Sequence, residues 1–147
     1  PMPMIRSASR AIYIDGSHTP LSTQRLLHSF LQLHPSPHTL VLGIVLGKRY
    51  REIAQILCPY FQRVIVTKPG NFKPSDPTFL AECCLNFNLN TLLILDPIEA
   101  LNTARNTLPN SQAPILITGS FYLAGEILKH QSSNYSFFPN KGRAGII

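Results

Sequence analysis

The stretch TLVLGIVLGKRYREIAQIL, residues 39–57, decides how this chain folds. Thr39 to Leu46 is an apolar run with no polar alternation, which predicts a strand buried on both faces. Gly47 punctuates the run, and Lys48 and Arg49 follow. From Tyr50 to Tyr60 the apolar residues Ile53, Ala54, Ile56 and Leu57 recur at helical spacing. A two-sided strand running straight into an amphipathic helix is the repeating unit of open parallel sheets, because a parallel neighbour is reached only through a crossover.

The same unit recurs on either side. Upstream, Ala11 to Ile14 is a short apolar strand ending at Asp15-Gly16. Leu21 to Leu33 then carries Leu26, Leu27, Phe30, Leu31 and Leu33 at helical spacing, stopped by Pro35-Ser36-Pro37. Downstream, Arg63 to Thr67 is a third strand and Lys68 to Pro77 a proline-rich loop. Thr78 to Asn86 is a helix, Thr91 to Leu95 a strand, and Pro97 opens a further helix. Ile115 to Thr118 is a fifth strand and Phe121 to Lys129 a last helix. This alternation predicts an α/β fold: an open three-layer α/β/α sandwich around a mostly parallel, Rossmann-like sheet of five to six strands. No repeat or internal boundary interrupts it, so residues 1–147 form one domain. The periodicity is lost after His130, apart from the apolar Tyr135 to Phe138, and 131–147 reads as an irregular tail.

Composition narrows the function. Apolar residues make up 44% and charged residues 14%, a balance that folds rather than stays disordered. No apolar run approaches the roughly 20 residues needed to cross a bilayer, which sets aside a membrane partner. The N-terminus has no apolar core of signal-peptide length, so the expected compartment is cytoplasmic. Three cysteines, Cys58, Cys83 and the adjacent Cys84, make a poor disulfide framework and read as reduced, buried thiols. Lys and Arg outnumber Asp and Glu by 13 to 7, which favours anionic partners. The cations are scattered without interleaved aromatics, so nucleic acid is not expected among the partners. Metal ligation is not expected either. Pro35 and Pro37 keep His34 and His38 off a common helix face, and Cys83-Cys84 has no partner pair at ligand spacing.

In open parallel sheets, ligands bind at the carboxyl ends of strands. Three such ends carry chemistry. At Asp15-Gly16-Ser17-His18, the carboxylate can accept from ribose hydroxyls and the imidazole can face an anion. Asp15 and Thr19 suit a helix cap equally well. At Gly43 to Arg49, two glycines allow a tight turn, and Lys48 and Arg49 either meet an anion at a helix start or form an exposed basic turn. At Thr118-Gly119-Ser120, the hydroxyl and the following amides can hold a carboxylate, and Ser120 can also cap its helix. No Gly-x-x-x-x-Gly-Lys-Ser/Thr, Gly-x-Gly-x-x-Gly or Gly-x-Ser-x-Gly motif is present.

These segments, with Val64-Ile65-Val66-Thr67-Lys68-Pro69 between them, resemble in order and spacing the C-terminal domain of the folylpolyglutamate synthases, in the Mur ligase superfamily. The family's Leu-Asp-Gly-Ala-His-Asn-Pro stands here as Ile14 to Pro20. Its Gly-Ile-Leu-Gly-Asp-Lys-Asp turn stands as Gly43 to Arg49, and its Thr-Gly-Ser-Leu-Tyr-Leu-x-Gly-Glu as Thr118 to Glu126. The resemblance covers about Arg10 to His130. It implies an ATP-dependent ligase that activates a folate or dihydropteroate carboxylate as an acyl phosphate and joins L-glutamate to it. It also implies that Mg is held mainly by an N-terminal ATPase domain, over which this domain closes. By the same resemblance Asp15 meets the nucleotide, His18 faces the cleft in catalysis and glutamate binding, and Ser120 helps hold the incoming glutamate.

Departures from the family pattern are specific. Thr19 replaces an asparagine, Gly47 and Arg49 replace both aspartates of the turn, and a nucleotide-binding arginine expected well upstream of Asp15 has no counterpart. Two alternatives stay open at this point. One is the corresponding domain of a peptidoglycan-precursor Mur ligase, whose Asp-Tyr-Ala-His-Thr-Pro suits Thr19-Pro20. The other is a non-catalytic binding module on the same fold. With no phosphate loop of its own, the 147-residue chain by itself is expected to be folded and catalytically silent. The resemblance leaves open whether dihydrofolate synthase activity accompanies glutamate extension.

Overall fold

A computed structural model describes residues 4–7, 10–35, 38–106, 113–131 and 137–138. The elements in chain order are β1 (Met4–Ser7), β2 (Arg10–Ile14), α1 (Pro20–Leu33), β3 (Thr39–Leu42), α2 (Tyr50–Leu57), β4 (Arg63–Val66), α3 (Pro77–Leu85), β5 (Thr91–Leu93), α4 (Pro97–Asn106), β6 (Ile115–Thr118), α5 (Phe121–Gln131) and β7 (Phe137–Phe138). The strands form one sheet in the order β5-β4-β3-β6-β2-β1-β7. From β5 to β2 every pairing is parallel, so the predicted three-layer α/β architecture is present.

Strand periodicity builds the two outer layers. Successive side chains point to opposite faces, so Leu40 and Leu42 join one apolar cluster and Val41 the other. The first cluster takes Leu26, Leu27 and Phe30 of α1, Ile53 and Leu57 of α2, and Leu80 of α3. The second takes Ala100 and Leu101 of α4 with Leu123 and Ile127 of α5. All four residues of β3 and of β6 are buried, as sheet centres require.

The differences from expectation have local causes. The strand predicted over 39–46 ends at Leu42. The Gly43 amide still bonds Thr118 O at 3.2 Å, but the chain then leaves the sheet. Val45 makes only an isolated bridge to Ser75, and Leu46 is exposed. The helix predicted over 50–60 finishes as α-helix at Leu57, and a 3₁₀ turn over Cys58–Tyr60 absorbs Pro59. Strand β1 was not expected. It pairs antiparallel with β2 on one side and with β7 on the other, bringing the sheet to seven strands. Helix α5 runs to Gln131, two residues past its predicted end, and β7 lies inside the predicted tail. The rest of 131–147 is outside the described residues. At the opposite edge β5 presents Leu92 and Leu93 to solvent, with Leu89 and Leu95 exposed beside it.

Candidate functional site

The carboxyl ends of β2, β6 and β3 lie side by side because those strands are neighbours and parallel. Backbone bonds stitch the rim together. Asp15 N donates to Ile117 O at 2.9 Å, Thr118 Oγ1 to Ser17 O at 3.4 Å, and Leu46 N to Pro74 O at 2.9 Å. A cleft of about 500 Å³ opens between these segments, lined by His18, Lys48, Lys73, Ser120, Phe121 and Tyr122 among others.

Two glycines shape the rim. Gly119 has φ +114, and a Cβ there would sit 2.5 Å from Gly43 O, so the ends of β6 and β3 approach closely only without a side chain. A Cβ on Gly16 would lie 2.2 Å from the Phe121 ring. That close approach lets Phe121 pack edge-on against His18, with ring centres 5.3 Å apart.

Thr19, not Asp15, caps α1. Ser22 N donates to Thr19 Oγ1, and Thr19 N donates back to Ser22 Oγ, both at 3.2 Å. Asp15 is buried, and its Oδ1 accepts from Ser17 N at 2.7 Å and from Ser17 Oγ at 2.5 Å. It sits beside the cleft without lining it. His18 Nδ1 is 2.9 Å from Gly16 O. A carbonyl only accepts, so Nδ1 carries the hydrogen, and in the neutral ring the lone pair is then on Nε2. Ser120 is 2% exposed and its Oγ accepts from Tyr122 N at 3.0 Å, so it caps α5 while its hydroxyl proton remains available to a ligand.

His18 and Ser120 therefore share one cleft, and Asp15 adjoins it. Of the basic turn, Lys48 lines this cleft, whereas Arg49 turns away and pairs with Glu52 at 3.2 Å. Three lining residues were not singled out in the sequence: Lys73, Phe121 and Tyr122. Lys73 is carried in by the loop after β4, which the Val45–Ser75 bridge and a Phe72–Tyr122 ring stack at 5.2 Å hold against the rim. No local pattern signals those contacts. The lining holds Lys48 and Lys73 and no carboxylate, so the cleft favours an anion.

Among the described residues no group of three or more His, Cys, Asp or Glu side chains could hold a metal ion. The donor set does not fit a resident magnesium ion, and none is assigned to these residues. Burial pushes the Cys83 thiol up. A hydrogen bond with Cys58, together with burial, does the same for Cys84, so neither is a ready nucleophile. No helix among the described residues is long and apolar enough to cross a membrane.

No protein-family model matches the chain. The folylpolyglutamate synthase of Lacticaseibacillus casei is 34% identical over 117 residues, covering 79% of this chain and 26% of that protein. The crystal structure of the Thermotoga maritima folylpolyglutamate synthase superposes with a TM-score of 0.77 at 26% identity, over 88% of this chain and 30% of that one. The Mycobacterium tuberculosis folylpolyglutamate synthase, solved with ADP and AMPPCP, gives 0.77 at 20% identity over 90% of this chain and 32% of its own. The chain thus spans between a quarter and a third of the length of each relative. The one domain aligned in these comparisons identifies the chain as a homologue of the folylpolyglutamate synthases, corresponding to their C-terminal domain.

Proposed function

We propose that this domain holds the incoming L-glutamate in a ligase that extends a folate or dihydropteroate carboxylate at the expense of ATP. The observation that carries the reading is the cleft in which Ser120, His18, Lys48 and Lys73 meet with no acid among them. A dicarboxylic amino acid brings two negative charges and one amine. Two ammonium groups and a buried hydroxyl suit the carboxylates. His18 suits the amine, because its Nε2 lone pair can take a proton. In this reading ATP first phosphorylates the acceptor carboxylate, releasing ADP. The glutamate nitrogen attacks the acyl carbon, the carbon–oxygen bond to phosphate breaks, and His18 accepts the proton the nitrogen loses. Asp15 would meet the nucleotide through the oxygen that Ser17 does not use. The phosphate cradle and the magnesium ligands would come from an N-terminal ATPase domain.

The test is an assay of the complete gene product with ATP, magnesium, L-glutamate and each of the two acceptors. Amide formation coupled to ADP release is expected. Absence of amide formation with both acceptors overturns the reading, and the comparison between them decides whether dihydrofolate synthase activity is present.

A further inference from the structure

Strand β5 ends the sheet opposite β7 and carries an apolar surface that the proposed chemistry does not use. Around it the side chains of Leu85, Phe87, Leu89, Leu92, Leu93 and Leu95 are all more than a third exposed. The stretch LNFNLNTLLIL, residues 85–95, has no charged residue and no proline, in a chain whose Lys and Arg outnumber Asp and Glu by 13 to 7. Edge strands are ordinarily guarded by charge, proline or a covering element, because their free backbone groups accept a further strand. β5 has none of these guards.

The register fixes which groups face outward. Val64 N donates to Asn90 O at 3.0 Å, and Ile94 N donates to Val66 O at 2.9 Å. Leu92 stands opposite Ile65. Asn90, Leu92 and Ile94 therefore turn their backbone groups toward β4, and by alternation Thr91 and Leu93 turn theirs to the open edge. Side chains alternate as well, so Leu92 is exposed on one face of the sheet and Leu93 on the other. A helix laid on one face would leave the other wet, whereas a strand added at the edge shields both.

The pattern is complementary to itself. An antiparallel copy of β5, related by a two-fold axis at Leu92, puts Thr91 of each copy opposite Leu93 of the other. Those are the two residues whose backbone faces outward, so both pairs can exchange N–H···O bonds. The same axis sets Leu92 against Leu92 and turns Leu89, 91% exposed, toward Leu95, 55% exposed. The net positive charge that opposes the meeting of two copies is absent from this stretch. We propose that the β5 edge is a self-association surface, at which two copies join β5 to β5 antiparallel about an axis at Leu92 and form one continuous sheet. The interface is isologous, the same patch on both copies. It is small, so the dimer is concentration-dependent rather than obligate.

Sedimentation of the complete gene product over a concentration series tests this. The mass should rise toward two chains, and Leu92→Lys and Leu93→Lys, each checked by thermal melting, should return it to one. Leu92→Cys should form an intermolecular disulfide under mild oxidation, because opposed residues that share no backbone bonds across an antiparallel pair have Cα atoms about 4.5 Å apart. Leu89→Cys, although more exposed, should not, because the axis sets it against Leu95. The native Cys58, Cys83 and Cys84 are buried and contribute little background. A gene product that stays monomeric across the series overturns the proposal, whether the edge is bare or is covered by other residues of a longer chain. A dimer that survives both lysine substitutions also overturns it. Cross-linking through Leu89→Cys as readily as through Leu92→Cys overturns the two-fold pairing. None of these outcomes touches the ligation assay, so the ligase reading stands or falls separately.

Discussion

Ser120 does two jobs with one oxygen. It accepts from Tyr122 N as the cap of α5 and keeps a proton for a ligand, so Ser120→Ala should be read on two scales. Loss of the cap costs about 1 kcal/mol of stability, visible as a small drop in melting temperature. Loss of a bond to a charged carboxylate costs about 1.5–3 kcal/mol, which should raise KM for glutamate about tenfold to a hundredfold while KM for ATP moves little. Equal changes in both would show that Ser120 is only a cap. Asp15→Ala in the complete enzyme should lower kcat/KM with ATP while leaving the domain folded, since its Oδ1 partners both lie two residues along the chain. Kinetics indistinguishable from wild type would remove it from the nucleotide site. The strand-end positions of Asp15, His18 and Ser120 were legible because each lies in the short polar or glycine-containing stretch just after an apolar run, and the end of a parallel strand is where a sheet exposes chemistry. Lys73 was not, because it reaches the cleft through a bridge between Val45 and Ser75 that no short-range pattern encodes.

At the scale of elements, β3 is the keystone. Leu42 is fully buried in the layer that also holds α1, α2 and α3. Leu42→Ala should cost about 2–5 kcal/mol by denaturant unfolding, the transfer term plus the cavity left behind. A cost below about 1 kcal/mol would mean that the neighbouring helices collapse into the space. The sequence showed β3, β4 and β6 because two-sided burial writes an unbroken apolar run. It overran β3 by four residues because Ile44 and Val45 are as apolar as the strand, while what ends the strand is tertiary: the turn of the chain toward the loop carrying Pro74. It missed β1 because a four-residue antiparallel strand near the margin of the sheet needs no strong pattern of its own. The basic turn showed the opposite limit. Lys48 and Arg49 are adjacent in sequence, yet only Lys48 lines the cleft with His18 and Ser120, while Arg49 pairs with Glu52.

The whole molecule should be sensitive to acid in one direction. Burial lowers the affinity of His34 and His38 for protons below that of an ordinary imidazole. His38 packs between Phe30 and Phe61, and His34 Nε2 lies 2.8 Å from Tyr13 Oη. The unfolded chain therefore takes up protons first as pH falls through about 6.5, so stability is complete above that value and declines below it. Urea unfolding at successive pH values should show the decline, and replacing His38 with Phe should flatten it. A stability that rises on acidification would contradict the burial argument. The isolated chain should also melt cooperatively yet neither hydrolyse ATP nor ligate glutamate, having no phosphate loop. Magnesium-dependent turnover that survives repurification would show that the catalytic machinery lies within these residues.

The sheet keeps its two apolar layers apart, with α1 packed on one face and α5 on the other. The cleft nevertheless draws His18 from the start of the first and Ser120 from the start of the second. A small anion seated there would act as a rivet through the sheet. Its binding free energy would add to the cost of opening either layer, and amide hydrogen exchange should slow together in two helices whose side chains sit in separate cores.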